Sequence, residues 1–300
     1  MISIYLPIAE RSVDTWALLA VGGGVGLLSG IFGVGGGFLL TPLLMFMGIS
    51  PAVAVATGAN QVLGSSVSGV LAHWRRRNVD VRMAGLLLAG GLAGSVLGVW
   101  LFALLKKLGQ LDLVISLSYV GFLGAVGALM LGESLYSAIG AKSGEASRRR
   151  HLPWHAWPLR MRFPRSHLYI SVIPPLAVGM AGGVLAAVMG VGGGFVLVPL
   201  MIYVLGMPTA VVIGTSLLQI IFVTALVTLM QAVTTHTVDA VLAMILLAGG
   251  AVGAQIGARI GTHLKGAQVR ILLALLVLVV CARMSWDLVA PPADPFTITD

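Results

Sequence analysis

Residues 33–43 read GVGGGFLLTPL and residues 190–200 read GVGGGFVLVPL, with nine of eleven positions identical at a spacing of 157. Four glycines in five positions interrupt a helix, because glycine lacks a Cβ, accepts positive φ and loses the most backbone entropy on ordering. Both copies lie inside apolar stretches, so each interruption falls at membrane depth, where irregular backbone is tolerated only if protein or a water-filled cavity surrounds it. Two broken helices, placed alike in two halves, define the architecture.

Working outward, the similarity continues. Leu87–Gly98 (LLAGGLAGSVLG) matches Leu246–Gly257 (LLAGGAVGAQIG) at seven of twelve positions, and Val79-Asp80 matches Val238-Asp239, both at a spacing of 159. A duplication of this size in an apolar chain is a signature of secondary transporters and channels, whose site lies between the halves. The 300 residues are 58% hydrophobic and 9% charged, with a mean hydropathy of +1.02, a composition that water does not solvate. Taking about 20 apolar residues per crossing, long segments fall at 15–47, 52–74, 81–105, 112–132, 169–205, 209–233, 240–261 and 268–289. The expected fold is an all-α polytopic membrane protein of about 8–10 membrane segments, divided into a first repeat (1–140), a basic linker (141–168) and a second repeat (169–300).

The formal charge of +8 would suggest nucleic acid in a soluble protein. Here the basic residues crowd between apolar runs, and orientation in the bilayer accounts for them better. Lys142, Arg148, Arg149, Arg150, Arg160, Arg162 and Arg165 stand against Glu145 alone in the linker. That marks it as cytoplasmic, with Trp154 and Trp157 at the interface. Arg75, Arg76, Arg77 and Arg82 mark a second cytoplasmic loop. If each glycine-broken segment re-enters and returns to its starting face, the two halves are inverted; Lys106 and Lys107 then lie outside, against the charge rule. A single broken crossing is the alternative. The N-terminus has no basic n-region, so the first segment is expected to be retained.

Several chemistries are excluded by the residues present. One cysteine, Cys281, forbids an internal disulfide or thiolate cage, and no Cys/His cluster has ligand spacing, so no metal or other cofactor is expected. Every carboxylate lies near a predicted helix end or in a loop, which disfavours a cation pathway. Intramembrane proteases need a buried Ser/His or a pair of buried Asp, and neither pattern is present. Arg283 is placed to pair with Asp287 one turn on.

An anion needs no charged side chain to be bound. Glycines at the start of a half-helix let successive N–H groups converge on one point, and the helix dipole adds to their field. On this reading Gly33, Gly35, Gly36 and Gly37, with Gly190, Gly192, Gly193 and Gly194, form two anion receptors facing one cavity. The following segment of each half carries Thr57, Asn60, Gln61, Ser65, Ser66 and Ser68, or Thr215, Ser216, Gln219, Thr224 and Thr228. Thr57 and Gln61, like Thr215 and Gln219, share a helical face at i, i+4. They either line the substrate path or fasten helices together. Gly94/Gly98 and Gly253/Gly257 are read as close helix contacts.

The pattern G-x-x-x-G-x-G-G-G-F-x-x-x-P-x-L, present in both halves with a small and polar second helix and an A-G-G-x-x-G-x-x-x-G third helix, resembles the TauE/SafE sulfite exporter family over about Leu18–Val289. The resemblance implies a bacterial inner-membrane permease moving sulfite, sulfoacetate or related organosulfur anions, often outward, with Pro42 and Pro199 joining the motif glycines. The expected partners are a small anionic substrate and the lipid bilayer, with a homodimer left open and nucleic acid excluded. A channel-like anion pore and a membrane-embedded accessory subunit remain as alternatives to a carrier.

Overall fold

A computed structural model describes residues 3–32, 36–75, 78–138, 159–166, 168–261 and 266–289. The described residues form two hairpins and ten helices in a recurring order. The first set is β1 (Ser3–Leu6), β2 (Arg11–Asp14), α1 (Thr15–Phe32), α2 (Gly37–Phe46), α3 (Pro51–Arg75), α4 (Val81–Lys107) and α5 (Leu111–Ala138). The second is β3 (Arg160–Phe163), β4 (Leu168–Ser171), α6 (Ile173–Met189), α7 (Gly194–Tyr203), α8 (Thr209–Thr234), α9 (Ala240–Gly261) and α10 (Gly266–Val289). Helices α4, α5, α8, α9 and α10 contain stretches long and apolar enough to cross a membrane. Both hairpins are antiparallel. The second begins at Arg160, so Arg160, Arg162 and Arg165 belong to an ordered counterpart of β1–β2 rather than to a linker without structure. Trp154 and Trp157, with most of the basic linker, lie outside the described residues.

The glycine-broken segments re-enter. At about 1.5 Å per residue, α1 spans about 27 Å and α2 only about 15 Å, and α2 runs back toward the face from which α1 started. A Cβ added to Gly48, just past α2, would fall on the guanidinium of Arg11, just before α1. In the second set, Phe163 and Ile170 of the hairpin share a core with Leu205 and Met207 beyond α7. Three helices follow each re-entrant unit, so the second set begins at the opposite face. Corresponding helices therefore run antiparallel. Gly69, late in α3, meets Leu217, early in α8, where a Cβ would lie 2.8 Å from the leucine.

The two sets interlock rather than pack side by side. Helix α1 lies along α9, α6 along α4, α3 against α8 and α5 against α10. Apolar transfer does not drive helices together in lipid, so close backbone approach and interhelical polar contacts must do so. A Cβ on Gly253 or Gly257 would fall on the carbonyl oxygen of Gly23 or Leu27, and one on Gly94 on that of Met180. A Cβ on Gly98 would lie 2.7 Å from that of Ala187. The close-contact reading of these four glycines holds.

Polar pairs complete the interlock. Thr57 Oγ1 accepts the N–H of Asp239 and Thr215 Oγ1 accepts the N–H of Asp80, both at 3.1 Å. Each aspartate also caps the helix that follows it. Asp80 Oδ1 accepts from Met83 N–H at 3.3 Å, and Asp239 Oδ1 from Leu242 N–H at 3.0 Å. Their second oxygens hold the hairpins: Ser166 N–H and Oγ–H donate to Asp80 Oδ2, and Ile8 N–H donates to Asp239 Oδ2. Lys106, the exception to the charge rule, donates through Nζ to the carbonyl of Thr235 at 2.8 Å. A cation at the C-terminal end of α8 complements that helix dipole.

Candidate functional site

The two re-entrant tips meet at the centre of the molecule. Helix α2 starts after Gly36 (φ 67°) and α7 after Gly193 (φ 78°), both in the left-handed region, where a Cβ would crowd the following carbonyl. Gly190 and Gly192 also have positive φ, at 68° and 67°. A Cβ built on Gly37 would lie 3.0 Å from the Gly190 carbonyl oxygen and 3.1 Å from Val191 Cα, which puts one tip against the other. The first residues beyond the glycines, Phe38 and Phe195, stack with ring centroids 4.4 Å apart and planes inclined by 15°.

Proline helps to keep the tips irregular. Pro42 and Pro199 lie inside α2 and α7, and each removes the i→i−4 donor that would satisfy the carbonyl of Phe38 or Phe195. Val196 and Leu197 N–H both reach the Gly193 carbonyl, at 3.1 and 2.7 Å. Val191, Gly192 and Gly193 form the turn that leads to Phe195 in the first turn of α7, where N–H groups have no intrahelical acceptor. All four residues are buried. Several N–H groups at one helix N-terminus, with its partial positive charge, can hold an anion. Gly36 and Gly37 occupy the matching place at the other tip, whereas Gly33 and Gly35 lie outside the described residues.

The second turn is tied to its surroundings by its carbonyls. Tyr119 Oη donates to the Met189 carbonyl at 2.5 Å, and Gln231 Nε2 to the Ala187 carbonyl at 2.9 Å. These bonds satisfy the C-terminal end of α6, which the glycine turn would otherwise leave bare.

Of the two roles open to the polar stripe, several of its members make fastening contacts. Thr57 and Thr215 spend their hydroxyls on Asp239 and Asp80. Gln61 Nε2 donates to the Gly22 carbonyl at 2.9 Å and lies against Gly250 of α9. Gln219 lies against Gly91 of α4, and both ends of its amide lack a partner. Asn60 is half-buried on α3. What faces the glycine tips from α3 and α8 is Val62, Ile220 and the methyl of Thr224. A Cβ on Gly192 would lie 2.5 Å from Val62 and 3.1 Å from each of the other two. Sequence reading passed over Phe38, Phe195, Val62 and Tyr119. The phenylalanine following GGG in both motif copies was the available signal for the first pair. Tyr119 carried none, since nothing in its own segment distinguishes it.

Among the described residues, no group of three or more His, Cys, Asp or Glu is placed to hold a metal ion. Arg283 pairs with Asp287 at 2.5 Å on the exposed side of α10, as its spacing predicts. It also lies over the ring of Phe46, 5.8 Å from the centroid, and takes no part in the central arrangement.

Comparison with known proteins identifies a family. A family model described as sulfite exporter TauE/SafE matches residues 18–284. A probable membrane transporter protein of Xylella fastidiosa (strain 9a5c) is 30% identical over 270 residues, covering 88% of this chain and 92% of its own. The probable membrane transporter protein YjnA of Bacillus subtilis (strain 168) is 24% identical over 263 residues, covering 88% and 96%. The probable membrane transporter protein YfcA of Escherichia coli (strain K12) is 33% identical over 127 residues, or 42% of each chain. No solved structure matches.

Proposed function

The chain belongs to the TauE/SafE family of membrane transporters, and from that footing we propose that it carries a small oxyanion, sulfite or an organosulfonate, across the bacterial inner membrane. The observation that supports this reading is the buried N-terminus of α7 after the left-handed Gly193, with Val191, Gly192, Gly193 and Phe195 all buried at the tip of a re-entrant helix. Sulfite presents several oxygen acceptors in a small volume, which suits converging N–H donors better than a cation or an apolar solute does. Gly36 and Gly37 stand at the matching place of the other tip, where the receptor is completed. Thr57 and Thr215 hold the two sets of helices together around it.

The face bearing Arg82, Arg160, Arg162, Arg165 and Arg259 is cytoplasmic by the positive-inside rule, and the linker between α5 and β3 lies on that side. Transport then exposes the paired tips alternately to either face.

Purified protein in proteoliposomes tests this directly. Saturable sulfite uptake that is competed by sulfoacetate but not by a cation or an uncharged solute is the expected result. Ohmic single-channel currents would replace the carrier with a pore. Failure of every oxyanion both to move and to raise the melting temperature would remove the anion assignment altogether.

A further inference from the structure

We infer that the stacked rings of Phe38 and Phe195 form the barrier that closes the anion route at mid-membrane; the inference rests on the proposed anion transport and adds the element that shuts it. The rings belong to the two re-entrant tips, are 1% and 3% exposed, and stack at 4.4 Å. They stand in the first turns of α2 and α7, where the N-terminal amides of both helices lie.

Three features make the pair a barrier rather than ordinary core. Its two members come from opposite sets of helices, so their contact forms and breaks with the relation between the halves. The tips touch through Gly37, Gly190 and Val191, so they are in direct contact while the rings are stacked. The rings offer an anion no N–H or O–H donor, so a closed stack opposes both water and cargo. Separating the rings uncovers the amides and admits the anion; restacking expels it to one side or the other. On this view the structure is the occluded form.

The test uses the full chain in proteoliposomes with two readouts. One is saturable sulfite uptake. The other is chloride leak, driven by a potassium diffusion potential set with valinomycin. The Phe38→Ala/Phe195→Ala variant should raise the leak at least tenfold (order of magnitude), whereas Phe38→Leu/Phe195→Leu, which keeps bulk at the tips, should stay near wild type. A monodisperse alanine double variant that melts near wild type, yet leaks no more than wild type, overturns the barrier. If the alanine variant does not fold, Phe38→Cys/Phe195→Cys in a Cys281→Ser background replaces it. Bridging the two thiols with a short cross-linker should arrest sulfite uptake, and cleaving the bridge should restore it; cross-linked protein transporting at the uncross-linked rate overturns the inference. Absence of sulfite uptake by the wild type would count against sulfite as cargo, and the chloride measurement does not depend on that result.

Discussion

Thr57 on α3 accepts the backbone N–H of Asp239 at 3.1 Å from a position 182 residues away. The same bond joins Thr215 to Asp80, so each set of helices is fastened to the other at both faces of the membrane. Thr57→Val or Thr215→Val keeps the side-chain shape but orphans a buried N–H, which costs about 1–3 kcal/mol each. Because the two sites are far apart, the double variant should be additive within about 0.5 kcal/mol. Denaturation in mixed micelles measures this, and Thr→Ser at either site should recover most of the loss.

The two capping aspartates are unequal. Asp80 Oδ2 takes both the N–H and the hydroxyl of Ser166, at 3.0 and 2.8 Å, whereas Asp239 Oδ2 takes the N–H of Ile8 at 3.0 Å. Either Asp→Ala change removes a helix cap worth about 1 kcal/mol. Asp80→Ala should cost about 1 kcal/mol more than Asp239→Ala through the extra hydroxyl bond. Amide exchange at Ser166 should accelerate in Asp80→Ala and not in Asp239→Ala.

Gly253→Ala and Gly94→Ala place a methyl group on a backbone oxygen of the neighbouring helix, which cannot move without separating the pair. Both should lose folded protein in detergent. Gly121→Ala, where nothing lies within 4 Å of the added carbon, should be neutral or gain up to about 1 kcal/mol from helix propensity. Yield and monodispersity by size exclusion separate the two outcomes.

Gln61 and Gln219 occupy matching positions, yet only Gln61 donates to a carbonyl, that of Gly22; both ends of the Gln219 amide lack partners. Gln61→Leu should destabilise by about 1 kcal/mol, while Gln219→Leu should be neutral or stabilising because it removes an unpaired buried amide. Paired melting curves decide between equal and unequal effects.

Tyr119→Phe removes the donor to the Met189 carbonyl and leaves that oxygen bare at the second glycine turn. A loss of about 1–3 kcal/mol is expected. Denaturation in mixed micelles measures it.

The segment boundaries read from the sequence agree with the helices to within a few residues, because apolar runs of bilayer length leave few alternatives. The glycine turns were legible in the sequence, and the structure sets Gly36, Gly37, Gly190 and Gly193 at two touching tips. The polar stripe was legible only as a choice between path and fastening. Thr57, Gln61 and Thr215 proved to be fastenings, which depends on the helix each side chain meets and not on i, i+4 spacing within its own helix. The two hairpins were missed because four-residue strands held by capping aspartates have no periodicity of their own.

By itself the sequence determined that this chain lies in a bilayer, that its pattern occurs twice, and that a glycine turn breaks one helix in each half. These are consequences of hydrophobic run length and of backbone freedom, both local properties. Tertiary structure decided that the broken segments re-enter, that the two sets run antiparallel and interlock, and that Phe38 meets Phe195. The last two relations join residues more than a hundred positions apart, and close backbone contact and shared hydrogen bonds between different helices select them.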